Sequence, residues 1–186
     1  VELKDNKPVV NINISGEARI IEVKGKVDLE DSKIIEELQK KANKKIKKRI
    51  NQAIDLFHHH VGWLKGNIHI IIDSDVDGLT SASAIYGYIK KYSSIECTYD
   101  THTKKQHGVY EDIVSRIPQG TDLLIVPDAG SDERSYDWIK YIVDHGCDVI
   151  VLDHHEISGW EDGVYESDKG NIAVLVNNQD GSYDNP

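Results

Sequence analysis

Ile68-His69-Ile70-Ile71-Ile72-Asp73-Ser74-Asp75-Val76-Asp77-Gly78 is a strand-like apolar run that stops on an aspartate. The form recurs twice: Leu123-Leu124-Ile125-Val126 runs into Pro127-Asp128, and Val149-Ile150-Val151-Leu152 runs into Asp153-His154-His155. In a parallel α/β sheet the carboxyl ends of neighbouring strands converge on one crevice. The three strand ends are therefore expected to build a single acidic, histidine-containing pocket suited to a divalent cation.

Working outward, the chain from residue 66 alternates strand and helix. The pattern predicts strands over 68–73, 95–100, 122–127, 147–152 and 172–177, with helices over 79–92, 108–117 and 132–145. Helix 132–145 ends in His145-Gly146, a cation in the last turn and a C-cap glycine. Short apolar strands separated by helices imply an α/β fold, a parallel sheet with flanking helices and right-handed crossovers.

The preceding segment reads differently. Val10, Ile12 and Ile14 alternate with polar residues, and Ser15-Gly16-Glu17 supplies a turn before Ile20 to Val27, so residues 8–27 predict a β-hairpin. Residues 32–58 predict one long helix, N-capped by Asp31 or Ser32, with Ile34, Ile35, Leu38, Ala42, Ile46, Ile50, Ile54 and Phe57 as its apolar stripe. Lys40, Lys41, Lys44, Lys45, Lys47, Lys48 and Arg49 dominate the other face, which could track phosphates. A solvated surface is the plainer reading, since interleaved aromatics are missing. His58-His59-His60 cannot converge on one ion, because helical ligands stand at i and i+4. They read as a surface cluster or the remnant of a junction.

Residues 1–65 carry 14 Lys and Arg against 10 Asp and Glu, a net +4, which leaves 8 against 22, a net −14, for the rest. The shift falls at Gly62-Trp63-Leu64-Lys65-Gly66. It divides the chain into a segment 1–62 and a domain 66–186. So acidic a domain binds phosphates only if bound cations invert its field. No apolar run approaches the ~20 residues of a membrane span, and no signal-peptide pattern opens the chain. Cys97 and Cys147 form neither a metal knuckle nor a disulfide framework, so a soluble, cytoplasmic protein is expected.

In an extended segment Asp73, Asp75 and Asp77 would present their carboxylates on one face, while Leu79-Thr80-Ser81 opens a helix whose free N–H groups favour an anion. An EF-hand loop is excluded, because the glutamate required at its twelfth position falls at Ala84. Oxygen donors mixed with the His154 imidazole point to Mn²⁺ over Ca²⁺. Asp128, arriving from a separate strand, is placed to bridge two ions about 3.5–4 Å apart.

Asp73-Ser74-Asp75-Val76-Asp77-Gly78-Leu79-Thr80-Ser81, Val126-Pro127-Asp128-Ala129-Gly130-Ser131 and Val151-Leu152-Asp153-His154-His155-Glu156 resemble, in order and spacing, the first three motifs of the DHH phosphoesterases, most closely the RecJ-type single-strand exonucleases. The resemblance covers about residues 66–186. It implies a metal-dependent phosphodiesterase acting on single-stranded DNA or short oligonucleotides, in repair and recombination, through two Mn²⁺ ions with Mg²⁺ as the alternative. It makes Asp73, Asp75, Asp77, Asp128, Asp153 and His154 the metal set, with Asp128 shared and Asp153 orienting the imidazoles. Asp77, Asp128, His154 and His155 would be catalytic. Lys104, Lys105, His107 and His155 would meet the substrate phosphate. The family's further aspartate after an Asn-Pro segment, and its second domain, have no counterpart before Pro186. A nucleotide- or metal-binding module without turnover is therefore the competing expectation. Residues 1–60 resemble, more weakly, the carboxy-terminal domain of spore germinant-receptor C-subunit lipoproteins, which implies an interaction segment joined to a DHH domain.

Overall fold

The isoleucine run forms the centre of the sheet. In the computed structural model, which describes residues 2–4, 7–9, 30–62, 66–102 and 106–179, strands β1 (Glu2–Lys4) and β2 (Lys7–Val9) pair antiparallel ahead of helix α1 (Ser32–Gly62). There follow β3 (Asn67–Ile72), α2 (Val76–Tyr92), β4 (Cys97–Thr101), α3 (Glu111–Val114), β5 (Thr121–Pro127), α4 (Glu133–Asp144), β6 (Asp148–Asp153), β7 (Val164–Glu166) and β8 (Ile172–Asn177). The strand order is β4-β3-β5-β6-β8-β7, parallel throughout except for β7 at the edge. The expected α/β architecture is what the chain adopts.

Side-chain alternation sorts the core onto the two faces of this sheet. Leu124, Val126, Val149, Val151, Ala173 and Leu175 pack with Ile113 of α3 and with Ile139, Ile142 and Val143 of α4. Ile68, Ile70, Leu123, Ile125, Ile150 and Val174 turn to the other face. There they meet Ala82 and Ile89 of α2 together with Ala53 and Leu56 of α1. Because β3 joins β4 on one side and β5 on the other, the strand order reverses at β3. A crevice opens at the carboxyl ends of β3 and β5, where such reversals place ligands.

Several boundaries depart from expectation for local reasons. The Asp75 carboxylate accepts from the Gly78 N–H at 2.9 Å and caps α2, so the helix begins at Val76 rather than at 79. α3 is a single turn instead of a helix over 108–117. Gly108 has a φ of 108°, the Val109 N–H is held by Ser135 Oγ at 2.9 Å, and Pro118 closes the far end. β7, three residues long, was not anticipated. α1 runs four residues past 58 and is capped by Asp31, whose side chain accepts from the Lys33 N–H at 2.8 Å. The hairpin expected over 8–27 lies outside the described residues beyond Val9. The histidine trio is no surface cluster throughout: His60 is buried, with its Nε2 2.7 Å from Asp148 Oδ2.

Candidate metal centre

Asp73 follows β3 directly and is 1% exposed. Its Oδ2 is 2.6 Å from Nδ1 of His107, and its Oδ1 has no hydrogen-bond partner among the described residues. Two residues on, Asp75 joins Asp73 and His107 in a group whose donor atoms all lie within 4.8 Å of one another. The Gly78 N–H holds Asp75 below the usual carboxylate range, and its charge is felt at Asp128.

Asp128 comes from the end of β5. Its φ of 67° is a left-handed conformation that aspartate tolerates better than most residues, and its N–H donates to the Leu152 carbonyl at 2.7 Å. That turn brings Oδ1 to 3.1 Å from Nε2 of His154, while Oδ2 is buried without a partner. Asp128, His154 and His155 form a second group of donors within 4.8 Å. Burial and the neighbouring Asp75 charge push the Asp128 carboxyl up.

Asp153 organises the histidines. Its Oδ2 accepts from the Ser131 N–H at 2.9 Å, and its Oδ1 accepts from the His154 and His155 N–H groups at 2.7 and 3.1 Å and lies 2.8 Å from His155 Nδ1. These bonds outweigh burial and hold its carboxyl below the usual range. Both oxygens are thus engaged, and Asp153, counted in the sequence among the metal ligands, enters neither donor group. Burial alone would lower His155, but the Asp153 hydrogen bond and charge, aided by Asp128 and Asp73, raise it above the ordinary imidazole value.

Two other expectations meet a different geometry. Asp77 sits exposed in the first turn of α2 and joins neither donor group, because the early helix start ends the extended alternation at Asp75. His107, expected on the phosphate, lies against Asp73. Lys104 and Lys105 lie outside the described residues. The sequence reading also passed over supporting groups. Asn177 Nδ2 donates to Ser131 Oγ and the His155 carbonyl at 2.7 and 2.9 Å, and Gln179 Nε2 donates to the His154 carbonyl at 2.6 Å. Their only sequence signal is amides at a strand's carboxyl end.

The donor set fits divalent cations. Two buried carboxylate oxygens, Asp73 Oδ1 and Asp128 Oδ2, lack partners among the described residues, a condition native structures otherwise avoid. The Asp75 charge adds to burial in pushing the Asp128 carboxyl up, and a cation relieves that repulsion. With imidazoles on both flanks, the set suits ions that accept oxygen and nitrogen together.

Comparison with known proteins identifies the family and the fold. Two proteins that carry the provisional name single-strand DNA-specific exonuclease YorK, one from Bacillus subtilis strain 168 and one from Bacillus phage SPbeta, are each 36% identical over 131 residues. That alignment takes in 70% of this chain but 20% of theirs, so the chain spans about a fifth of these relatives. The crystal structure of exonuclease RecJ bound to manganese superposes with a TM-score of 0.53 at 19% identity, over 68% of this chain and 30% of that one, a likeness of fold. Residues 1–63 match the C-terminal family of spore germination B3/GerAC-like proteins. The N-terminal domain of the DHH family matches residues 67–174, which is more than half of the sequence and holds all three aspartate-ended strands, and the chain thus belongs to the DHH family.

Proposed function

We propose that the chain carries the metal-binding core of a phosphodiesterase that hydrolyses single-stranded DNA or short oligonucleotides. The observation that supports this reading best is a pair of donor groups, one built at the end of β3 and one at the ends of β5 and β6, each with a buried carboxylate oxygen that has no partner among the described residues. Bound divalent cations, Mn²⁺ first and Mg²⁺ as the alternative, would polarise the phosphoryl group, lower the pKa of water and steady the leaving oxygen. Asp73, Asp75, Asp128 and His154 hold them, and Asp77 is a ligand by family resemblance alone. Asp153 fixes the His155 ring by Nδ1, which leaves Nε2 free for a phosphate oxygen. Exposed Val76 and Leu79 flank the crevice and offer a base an apolar surface. Lys104 and Lys105 add positive charge from the β4–α3 connection. Hydrolysis adds water across the phosphodiester, and the shortened strand and a mononucleotide part. Repair or recombination in the cytoplasm is the setting we assign. Two family matches that abut at residues 63 and 67, where composition shifts, support reading 1–62 and 66–186 as segments of separate origin.

The test is mononucleotide release from end-labelled single-stranded DNA with Mn²⁺. We expect metal-dependent hydrolysis that falls at least about 100-fold in Asp128→Asn, the scale of losing a transition-state electrostatic contact. A chain that neither binds Mn²⁺ nor cleaves would overturn the proposal. Binding without cleavage selects a non-catalytic module.

A further inference from the structure

His107 stands to Asp73 as His154 stands to Asp128. In each pair a buried carboxylate, 1% exposed for Asp73 and 7% for Asp128, sends one oxygen to a solvent-facing imidazole and leaves the other unpartnered among the described residues. The separations are 2.6 Å for His107 Nδ1 to Asp73 Oδ2 and 3.1 Å for His154 Nε2 to Asp128 Oδ1. Adjacent ligands of an octahedral ion with bonds near 2.1 Å stand about 3 Å apart. Asp75 is grouped with Asp73 and His107, and its charge acts on Asp128.

The backbone holds His107 at this place. Ser74 Oγ, in the turn after β3, donates to the Gln106 carbonyl at 3.0 Å, and His102 Nε2 lies 2.8 Å from the Gly108 carbonyl. A Cβ at Gly108 would come within 2.5 Å of Ser135 Oγ, so the chain can approach α4 this closely only as glycine. The residue after the turn is thereby tied to α4 and the residue before it to the β3 end.

We propose that His107 is a cation ligand, which with Asp73 and Asp75 forms one half of a dinuclear centre whose other half is Asp128 and His154. The inference rests on the metal-dependent reading above and deepens it. A hydrogen bond from His107 that merely fixes Asp73 would leave Oδ1 buried and unsatisfied. A phosphate contact would leave it so as well. An ion coordinated by Asp73 and His107 satisfies that oxygen. Imidazole in both halves selects Mn²⁺ or a similar transition ion over Mg²⁺ and Ca²⁺ at both.

The experiment is Mn²⁺ titration calorimetry on the whole chain, with electron-spin-echo spectroscopy of bound Mn²⁺ to count coordinated imidazole nitrogens. The variants are His107→Ala, His107→Gln and His154→Ala. Nearly half of the His107 side chain is exposed, so its replacement spares the core. In the unaltered chain we expect two ions and a nitrogen signal from two imidazoles. His107→Ala should weaken one ion about tenfold or more, since even groups behind the ligands carry that much affinity, and should remove one imidazole signal. His107→Gln, which still reaches Asp73 by a hydrogen bond, should lose the same signal. His154→Ala should remove the other. Unchanged affinity in His107→Ala overturns the proposal, as does lowered affinity with both nitrogen signals intact, while the phosphodiesterase reading survives either result. An unaltered chain that binds no Mn²⁺ overturns both.

Discussion

Asp128 holds a φ of 67° and a raised carboxyl pKa in a position whose neighbours are another acid and two histidines. Ionised and without a cation, it lowers stability at neutral pH, because its folded pKa exceeds its unfolded one. Asparagine tolerates the same backbone and carries no charge. Asp128→Asn should therefore unfold about 1 kcal/mol later than the parent in chelator, the size common to relieved functional strain, and should lose the rise in Tm that Mn²⁺ gives the parent. Asp128→Ala should be less stable than the Asn variant by about 1 kcal/mol, because alanine resists left-handed φ. Thermal unfolding with and without Mn²⁺ checks both. At the opposite end of the sheet Asp148 has the reverse balance. Burial would raise it, but His60, the Ile172 N–H and Asn171 together hold it below the usual range. Its contribution to stability is thus present above pH ~3.8 and lost as pH falls through the lower folded value. Asp148→Ala should cost about 3 kcal/mol at pH 7, as removal of one partner from a buried pair does. In urea unfolding the gap from the parent should narrow only below pH ~4.

At the scale of elements, the turn from β3 into α2 decides which aspartates face the crevice. A Cβ at Gly78 would stand 2.6 Å from Asp73 Cβ and 2.7 Å from its carbonyl oxygen, both parts of the chain that cannot swing aside. Gly78→Ala should push α2 away from the strand, cost about 2 kcal/mol as overpacking does, and weaken Mn²⁺ binding by displacing Asp75. Thermal unfolding and calorimetry measure the two effects, and an alanine variant with parental metal affinity would sink the argument. The same turn explains what was legible in the sequence. The isoleucine run fixed β3 to within a residue, and the aspartates at the strand ends announced the crevice. Period-two alternation did not persist through Asp75, since a carboxylate that caps a helix ends the strand geometry at once. Asp77 consequently joins neither donor group, and no spacing rule reveals that. His107 was hidden because its proximity to Asp73 depends on a turn tied to Ser135, a partner 28 residues further along the chain. β7 escaped because three residues carry too little periodicity.

Across the whole molecule, the two charge regimes of the sequence do not correspond to two separate cores. α1 is 31 residues long, about 46 Å at 1.5 Å per residue, whereas a six-residue strand spans about 20 Å. Its buried residues, Arg49, Ala53, Leu56 and His60, all belong to the second half. They form a stripe that packs on the α2 face of the sheet and ends in the His60–Asp148 bond. The lysine-rich first half has no buried residue among those described. Burial of Leu56 at 7% exposure, among Ile68, Ile70 and Ile150, makes the end of a segment matched to one family part of the core of another. Truncating that side chain should then destabilise the sheet itself. Leu56→Ala should cost about 3 kcal/mol, within the range for a buried leucine, and should lower the midpoint of one cooperative urea transition seen alike by far-UV circular dichroism and tryptophan fluorescence. Ile46→Ala, half-buried on the first half of α1, should cost about 1 kcal/mol or less. Two separated transitions, with Leu56→Ala moving only the one that leaves Trp138 and Trp160 undisturbed, would mean that the helix and the sheet fold independently.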